Sequence, residues 1–288
     1  MPIIPIIDHA VINVDGQLDQ AYTLFRRMGF QLSSRGHHSM GSSNHLAIFG
    51  ENYLELLGFE ADSDSDKRGL WQVPPGLAGL VWKTTDARFV YTWLQQRELE
   101  GESPTVFSRP VTLPDGSHKE AKFCITRLKA SSMDYGFSFF CQHFTPEAVW
   151  QDVWRQHPNG VQNLTGFVIM AEDPRAAISL FARLFNTAPM PEPNGRGWFI
   201  QASAARLRVI SRQQAIEEFH LPENRSTGTQ MVALSFSVAS LGRLTDCLAS
   251  GGIGFQEMGN RIVVSITQTG WLALSFSAMS NGYYPKAS

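Results

Sequence analysis

Glu55 lies in the middle of an apolar run, Tyr53-Leu54-Glu55-Leu56-Leu57-Gly58. A carboxylate inside a half-buried strand is costly unless a cation, a metal or a proton meets it. Imidazoles are the nearest candidates by sequence. His9 interrupts the apolar stretch IIDHAVINV, and His37, His38 and His45 crowd the segment just before Glu55. A carboxylate that orients an imidazole is a general-base arrangement even without a metal. Arg109, in the hairpin FSRPVTLPDG, has the planar fork of donors that suits a substrate carboxylate, and it could equally pair with a surface acid. His157 stands in His-Pro-Asn-Gly, where the neighbours dictate a bend, so it is expected to fix a turn. There is no Gly-rich phosphate loop, no GxSxG elbow and no HExxH, which disfavours nucleotide binding and serine hydrolysis.

The bulk composition narrows the field further. The chain has 288 residues, 43% of them hydrophobic and 17% charged, enough to bury a core of one large or two ordinary domains. Twenty-four basic against 26 acidic residues leave a formal charge of −2, which offers no electrostatic case for nucleic acid or an anionic membrane surface. The three cysteines, Cys124, Cys141 and Cys247, are scattered and form no CxxC, so neither a disulfide framework nor a thiolate zinc site is expected. Cys141 reads as a small core residue. The apolar N-terminus is broken by Pro2 and Pro5 and lacks the basic start of a signal peptide. No segment reaches the roughly 18 unbroken apolar residues of a membrane helix, and a soluble cytoplasmic protein is expected.

The elements that must position Glu55 and His9 repeat along the chain. IIDHAVINV alternates like a strand, LDQAYTLFRRMGF has helical spacing, and a pair of strands around residues 44–58 follows. The grammar returns in GLAGLVWKTTDARFVYTWLQQREL, in TGFVIMAEDPRAAISLFARLFN and in VALSFSVASLGRLTDCLASGGIGF. Leu24-Phe25 overlies Leu180-Phe181 without a gap, an offset of 156. Four βαβββ modules are therefore expected, beginning near residues 5, 76, 163 and 230. They make an α+β protein with an N-terminal domain at 1–145, a linker at 146–162 and a C-terminal domain at 163–288. ADSDSDKRG at 61–69 reads as a solvated loop.

Paired βαβββ modules are the plan of the vicinal oxygen chelate superfamily, which includes glyoxalase I, extradiol dioxygenases, and fosfomycin- and bleomycin-resistance proteins. In detail the sequence resembles glyoxalase-like domain proteins. DHAVINV, HSMGSSNHLAIFGENYLELLG, GLAGLVWKT, LPDG and FFCQHFTPEAVW carry the resemblance, which covers residues 1 to about 175 well. It implies curled, cup-like mixed sheets with helices outside, and a divalent metal (zinc, iron, manganese or nickel) held inside the cup by His and Glu on the first and last strands of each module. Strand parity puts His9 with Ile7 and Val11, and Glu55 with Tyr53 and Leu57, on the face away from the helices.

The ligand positions implied by that pattern fall on His9, Glu55, about Ala78, and Gln142. Ala78 offers nothing and Gln142 only an amide oxygen. His143, one residue on, would need a local bulge to turn inward. In the second half the same positions read Thr165, Arg208, Val232 and Ala273, so that half is expected to be a degenerate copy, with Arg206 and Arg208 marking an anion-binding pocket or, the favoured reading, a wet edge. Besides an interaction module with no ligand, two outcomes follow from the resemblance. One is a metal-dependent lyase, isomerase or oxygenase that chelates a small oxygen-rich molecule at His9, Glu55 and Gln142, with Tyr53, His38, Arg109 and His143 against the substrate. The other is a metal-free cup for an apolar or aromatic molecule, in which Phe140, Tyr53 and Trp82 matter more, or a hydrogen-bonded His9–Glu55 pair left from an ancestral site. Family analogy also makes a homodimer an expectation.

Overall fold

The computed structural model describes residues 2–37, 42–59, 73–224 and 228–278. The first module comprises β1 (Ile7–Asp15), α1 (Leu18–Arg27), β2 (Gly36–His37), β3 (Ser42–Ile48) and β4 (Tyr53–Phe59). The second comprises β5 (Gly76–Thr84), α2 (Ala87–Gln95), β6 (Thr105–Thr112), β7 (His118–Arg127) and β8 (Phe137–His143). The third comprises β9 (Val161–Ala171), α3 (Pro174–Phe185), β10 (Met190–Pro191), β11 (Gly197–Ala202) and β12 (Ala205–Ser211). An extra helix, α4 (Arg212–Phe219), precedes the fourth module: β13 (Gln230–Val238), α5 (Leu241–Ser250), β14 (Gln256–Met258), β15 (Arg261–Val264), α6 (Ile266–Thr269) and β16 (Ala273–Ala278).

Local chemistry explains the boundaries. The strands are rich in β-branched and aromatic residues that fit a pleated surface. Asp86 opens α2 by accepting the N–H groups of Arg88 and Phe89, and Asp173 followed by Pro174 opens α3. Asn186, with φ of 50°, closes α3 in the left-handed conformation that asparagine tolerates.

Each pair of modules forms one eight-stranded sheet, in the orders β2-β3-β4-β1-β5-β8-β7-β6 and β10-β11-β12-β9-β13-β16-β15-β14. The central strands of each sheet, β1 with β5 and β9 with β13, run antiparallel, whereas each module's first and last strands run parallel. The first sheet curls until its edge strands β2 and β6 meet, which closes a cup. These are the tandem α+β cups that the module repeat implies.

The helix-side faces of both sheets share one core. Phe30 meets Phe236 at 5.8 Å between ring centroids, and Trp82 meets Phe185 at 4.6 Å. Asn52 locks the halves from the backbone: its amide donates to the Leu164 carbonyl at 2.9 Å and accepts the Leu164 N–H at 3.0 Å. The connecting stretch carries Val149 and Trp154 into the wall of the first cup and places His157 between the halves. His157 Nδ1 accepts the Gln31 N–H at 3.0 Å, so its Nε2 carries the proton and donates to the Ile48 carbonyl at 2.8 Å. Burial pushes this imidazole down to about 4, against the smaller opposing effect of the Ile48 bond. Among the described residues, no helix is long and apolar enough to cross a membrane.

Candidate functional site

Alternation along β4 places Tyr53, Glu55 and Leu57 in the first cup and Leu54 and Leu56 in the helix-side core. On β1 the alternation breaks. Ile7 pairs with Trp82 and His9 with Val81, so two steps on β1 match one on β5 and Asp8 is the bulged residue. The bulge returns Ile7 to the helix-side core, contrary to the simple parity, while His9 and Val11 stay in the cup. It also brings Asp8 beside His9.

Strand β8 alternates without interruption, but in the opposite phase to the one expected from the family pattern. Phe140 belongs to the helix-side core with Phe185, and Phe137 and Cys141 belong to the cup. Gln142 therefore faces α2, where its side-chain oxygen accepts the Ala87 N–H at 3.0 Å, and it is not brought to His9 and Glu55. His143 turns inward with no bulge. Trp82 and Phe140 are sealed in the core, so neither can line a ligand cup as the apolar reading required. Cys141 is buried in the cup wall, not on the helix side.

The polar residues that meet in the cup form a chain. Asn44 donates to Glu55 Oε1 at 2.6 Å, and the other carboxylate oxygen, Oε2, lies 3.7 Å from His9 Nε2. His9 Nδ1 lies 2.8 Å from Asp8 Oδ2, which is also 3.0 Å from His143 Nε2. Asp8, His9 and Glu55 are 0%, 3% and 8% exposed. With Asp8 as an acceptor on two sides, His9 donates from Nδ1 and directs Nε2 toward Glu55. Nε2 thus faces a carboxylate oxygen. The contact is stable only with a proton or a cation between the two groups.

Burial opposes ionisation of Asp8, but His143 and His9, by charge and hydrogen bond, hold its carboxyl well below the usual carboxylate range. Lys83 adds a cation 4.0 Å from Asp8 Oδ1. The Tyr53 ring stacks on His9, with centroids 4.2 Å apart and planes 14° apart, and burial followed by the Asp8 charge pushes its phenol far up. Burial, with the charges of Asp8 and Glu55, does the same to the Cys141 thiol. Asp8, Cys141 and His143 bring ligand atoms within 4.8 Å of one another.

His9, Glu55, Asn44 and Tyr53 line a cavity of about 370 Å3 whose other walls are largely Phe107, Phe123, Phe137 and Phe139. Arg109, on β6, reaches the same cavity. His38 falls outside the described residues. His45 faces away from the cup, against Tyr22, with its Nδ1 2.9 Å from the Ser33 carbonyl.

Asp8 and Asn44 are site residues that the sequence reading passed over. The signal for Asp8 was the adjacent polar pair Asp8-His9 in an otherwise apolar strand, which cannot satisfy alternation without a bulge. For Asn44 it was the shared parity with Leu46 and Ile48, both of which lie on the cup side.

Among the described residues, the second cup holds no such chain of histidines and carboxylates. Helix α4 fills it, burying Ala215 and Phe219 against Val168, Ile210 and Ala273. Arg208 is half-buried, not at a wet edge. It is clamped by Glu192 at 2.8 Å and Glu218 at 3.0 Å, while Arg206 lies exposed over the Phe199 ring.

Comparison with known proteins agrees with this architecture. The glyoxalase-like domain family matches residues 7–185, more than half of the chain, and the protein belongs to that family. No curated protein sequence matches it. A solved hypothetical protein from Staphylococcus aureus superposes with a TM-score of 0.67 at 14% identity, covering 96% of this chain and 100% of its own. A mutant of 4-hydroxymandelate synthase from Streptomyces coelicolor gives 0.62 at 12% identity, with 98% and 95% covered. A fusion of a xylose isomerase-like TIM barrel with 4-hydroxyphenylpyruvate dioxygenase gives 0.58 at 11% identity, covering 98% of this chain and 50% of that one. At these identities the likeness carries the fold alone.

Proposed function

We propose that the N-terminal cup is an active site of the glyoxalase-like type, in which His9 and Glu55 act together on a small oxygen-bearing molecule. The observation that carries this reading is the opposition of His9 Nε2 and Glu55 Oε2 at 3.7 Å inside a cavity. The donor set fits a divalent ion of the kind the family uses. Each facing group is oriented from behind by a buried partner, Asp8 for the imidazole and Asn44 for the carboxylate, as ligand-supporting residues do. His9 and Glu55 would hold the ion, and a bound ion would supply Lewis-acid polarisation of substrate oxygens.

The chain's own residues account for the rest. Asp8 fixes the His9 tautomer so that Nε2 is the atom that takes a proton, and it steadies the imidazolium that results. Tyr53 holds the ring by stacking and, un-ionised, adds no charge beside it. The aromatic wall excludes water and receives the apolar part of the substrate.

That same wall, with only two facing donors, favours a second reading: metal-free binding of an aromatic molecule. Elemental analysis and melting with and without divalent ions separate the two. Under the first reading, metal at a hundredfold excess over its dissociation constant stabilises the wild type by about 2.7 kcal/mol and His9→Ala hardly at all. Identical melting of chelator-treated and metal-loaded wild type refutes it.

A further inference from the structure

Arg109 is the one buried residue of β6, at 8% exposure on a strand otherwise exposed or half-buried. Its side chain stands on the wall between the main cavity and a smaller one of about 250 Å3. Among the described residues no carboxylate pairs with it. Two other partly buried arginines are held by carboxylates: Arg208 by Glu192 and Glu218, and Arg127 by Glu102 at 3.6 Å. Around Arg109 stand instead the Phe123 ring, with its centroid 5.9 Å from Cζ, and the bare backbone of Gly36, where a Cβ would fall 2.8 Å from Nη1.

The Arg109 guanidinium faces the cavity with no carboxylate partner among the described residues, an uncommon setting for an arginine at 8% exposure. An anion that enters the cavity can supply the missing partner. The planar fork selects a planar oxyanion gripped by two parallel hydrogen bonds, which is a carboxylate. The negative charges of Asp8 and Glu55, across the cup on β1 and β4, keep such an anion from binding in the reverse sense.

Building on the reading above, we propose that the substrate of this cup is a small arylcarboxylic acid. Its carboxylate lies on Arg109, its ring lies against Phe123 and Phe137, and its remaining oxygen substituents are turned toward His9 and Glu55.

The test is calorimetric titration of the full chain with benzoate and phenylacetate against benzamide and phenylacetamide, which keep the ring and remove the charge. The wild type binds each acid roughly tenfold or more tightly than its amide. Arg109→Gln erases the preference, and Arg109→Lys, which keeps the charge without the fork, retains only part of it. Without probe, Arg109→Gln melts close to the wild-type temperature, because no carboxylate among the described residues depends on Arg109. Equal affinity for acid and amide, no saturable binding of any probe, an acid preference that survives in Arg109→Gln, or a marked loss of stability in that variant each overturn the proposal. If the wild type takes up no divalent ion yet still prefers acids, the His9–Glu55 reading falls and this one stands. Metal uptake without acid preference has the opposite meaning.

Discussion

His157 should make the fold sensitive to acid in a window that can be calculated. It sits 3% exposed between the halves, neutral, with both ring nitrogens engaged by backbone groups of the first module. A proton on Nδ1 would displace the Gln31 N–H and place an uncompensated charge in the core. In the folded chain the imidazole is held to about 4, against 6.5 for the free side chain. The unfolded chain therefore binds more protons between those values, and stability falls as the pH falls through the window. Above about pH 6.5 the full contribution is present, and below about pH 4 no more is lost.

Moving from about pH 7 to about pH 4.5 should remove about 2 kcal/mol through this one residue. Asp8 does not blur the window, since its carboxyl is held below the ordinary range and its contribution is lost only under more acidic conditions. His45, also pushed down by burial, adds a loss of the same sign, but equally in any His157 variant. The perturbation is His157→Gln, whose amide can accept from Gln31 and donate to Ile48 without titrating. Urea unfolding at both pH values should show the wild type losing about 2 kcal/mol more than the variant. Parallel losses in the two proteins would refute the reasoning.

Three further outcomes follow. Gly36→Ala places a Cβ 2.5 Å from the oxygen of buried Asn44 and 2.8 Å from Arg109 Nη1, so both side chains must shift, melting should fall, and affinity for aryl acids should fall at least several-fold in the same titration. Asp8→Asn removes the acceptor that orients His9, and on the metal-binding reading divalent-ion affinity measured by competition with a chelating dye should fall roughly 10- to 100-fold. Asn52→Leu leaves the Leu164 N–H and carbonyl without their side-chain partner at a buried junction, and should cost about 2–4 kcal/mol in urea unfolding.

The module repeat was legible because each βαβββ unit writes its own periodicity, and Glu55 was legible because Leu54 and Leu56 pin its strand's phase. The phase of β8 was not. In Phe137-Ser138-Phe139-Phe140-Cys141-Gln142-His143 each face carries both an aromatic and a polar residue, Phe139 and His143 toward the cup, Phe140 and Gln142 toward the helices. Alternation then carries no sign, and only the fit of Phe140 against Phe185 decides that His143 rather than Gln142 turns inward. Asp8 was hidden for a different reason. A bulge is a property of two paired strands, and nothing in β1 alone says how many residues of β5 it must match. The α4 plug escaped notice because Arg-Gln-Gln-Ala-Ile-Glu-Glu-Phe buries little beyond Gln214, Ala215 and Phe219, too short an apolar stripe to announce a helix that fills a cup.

The aromatic core common to both sheets has a consequence for anyone who wishes to trim the molecule. Cutting the chain near residue 160 would strip Phe30, Phe49 and Trp82 of their partners Phe236, Phe276 and Phe185, leaving a wide greasy face on each fragment. The half that carries His9 and Glu55 cannot be harvested as a miniature version of the protein. A lesion anywhere in the silent half should therefore surface as lost performance at a cavity it never touches.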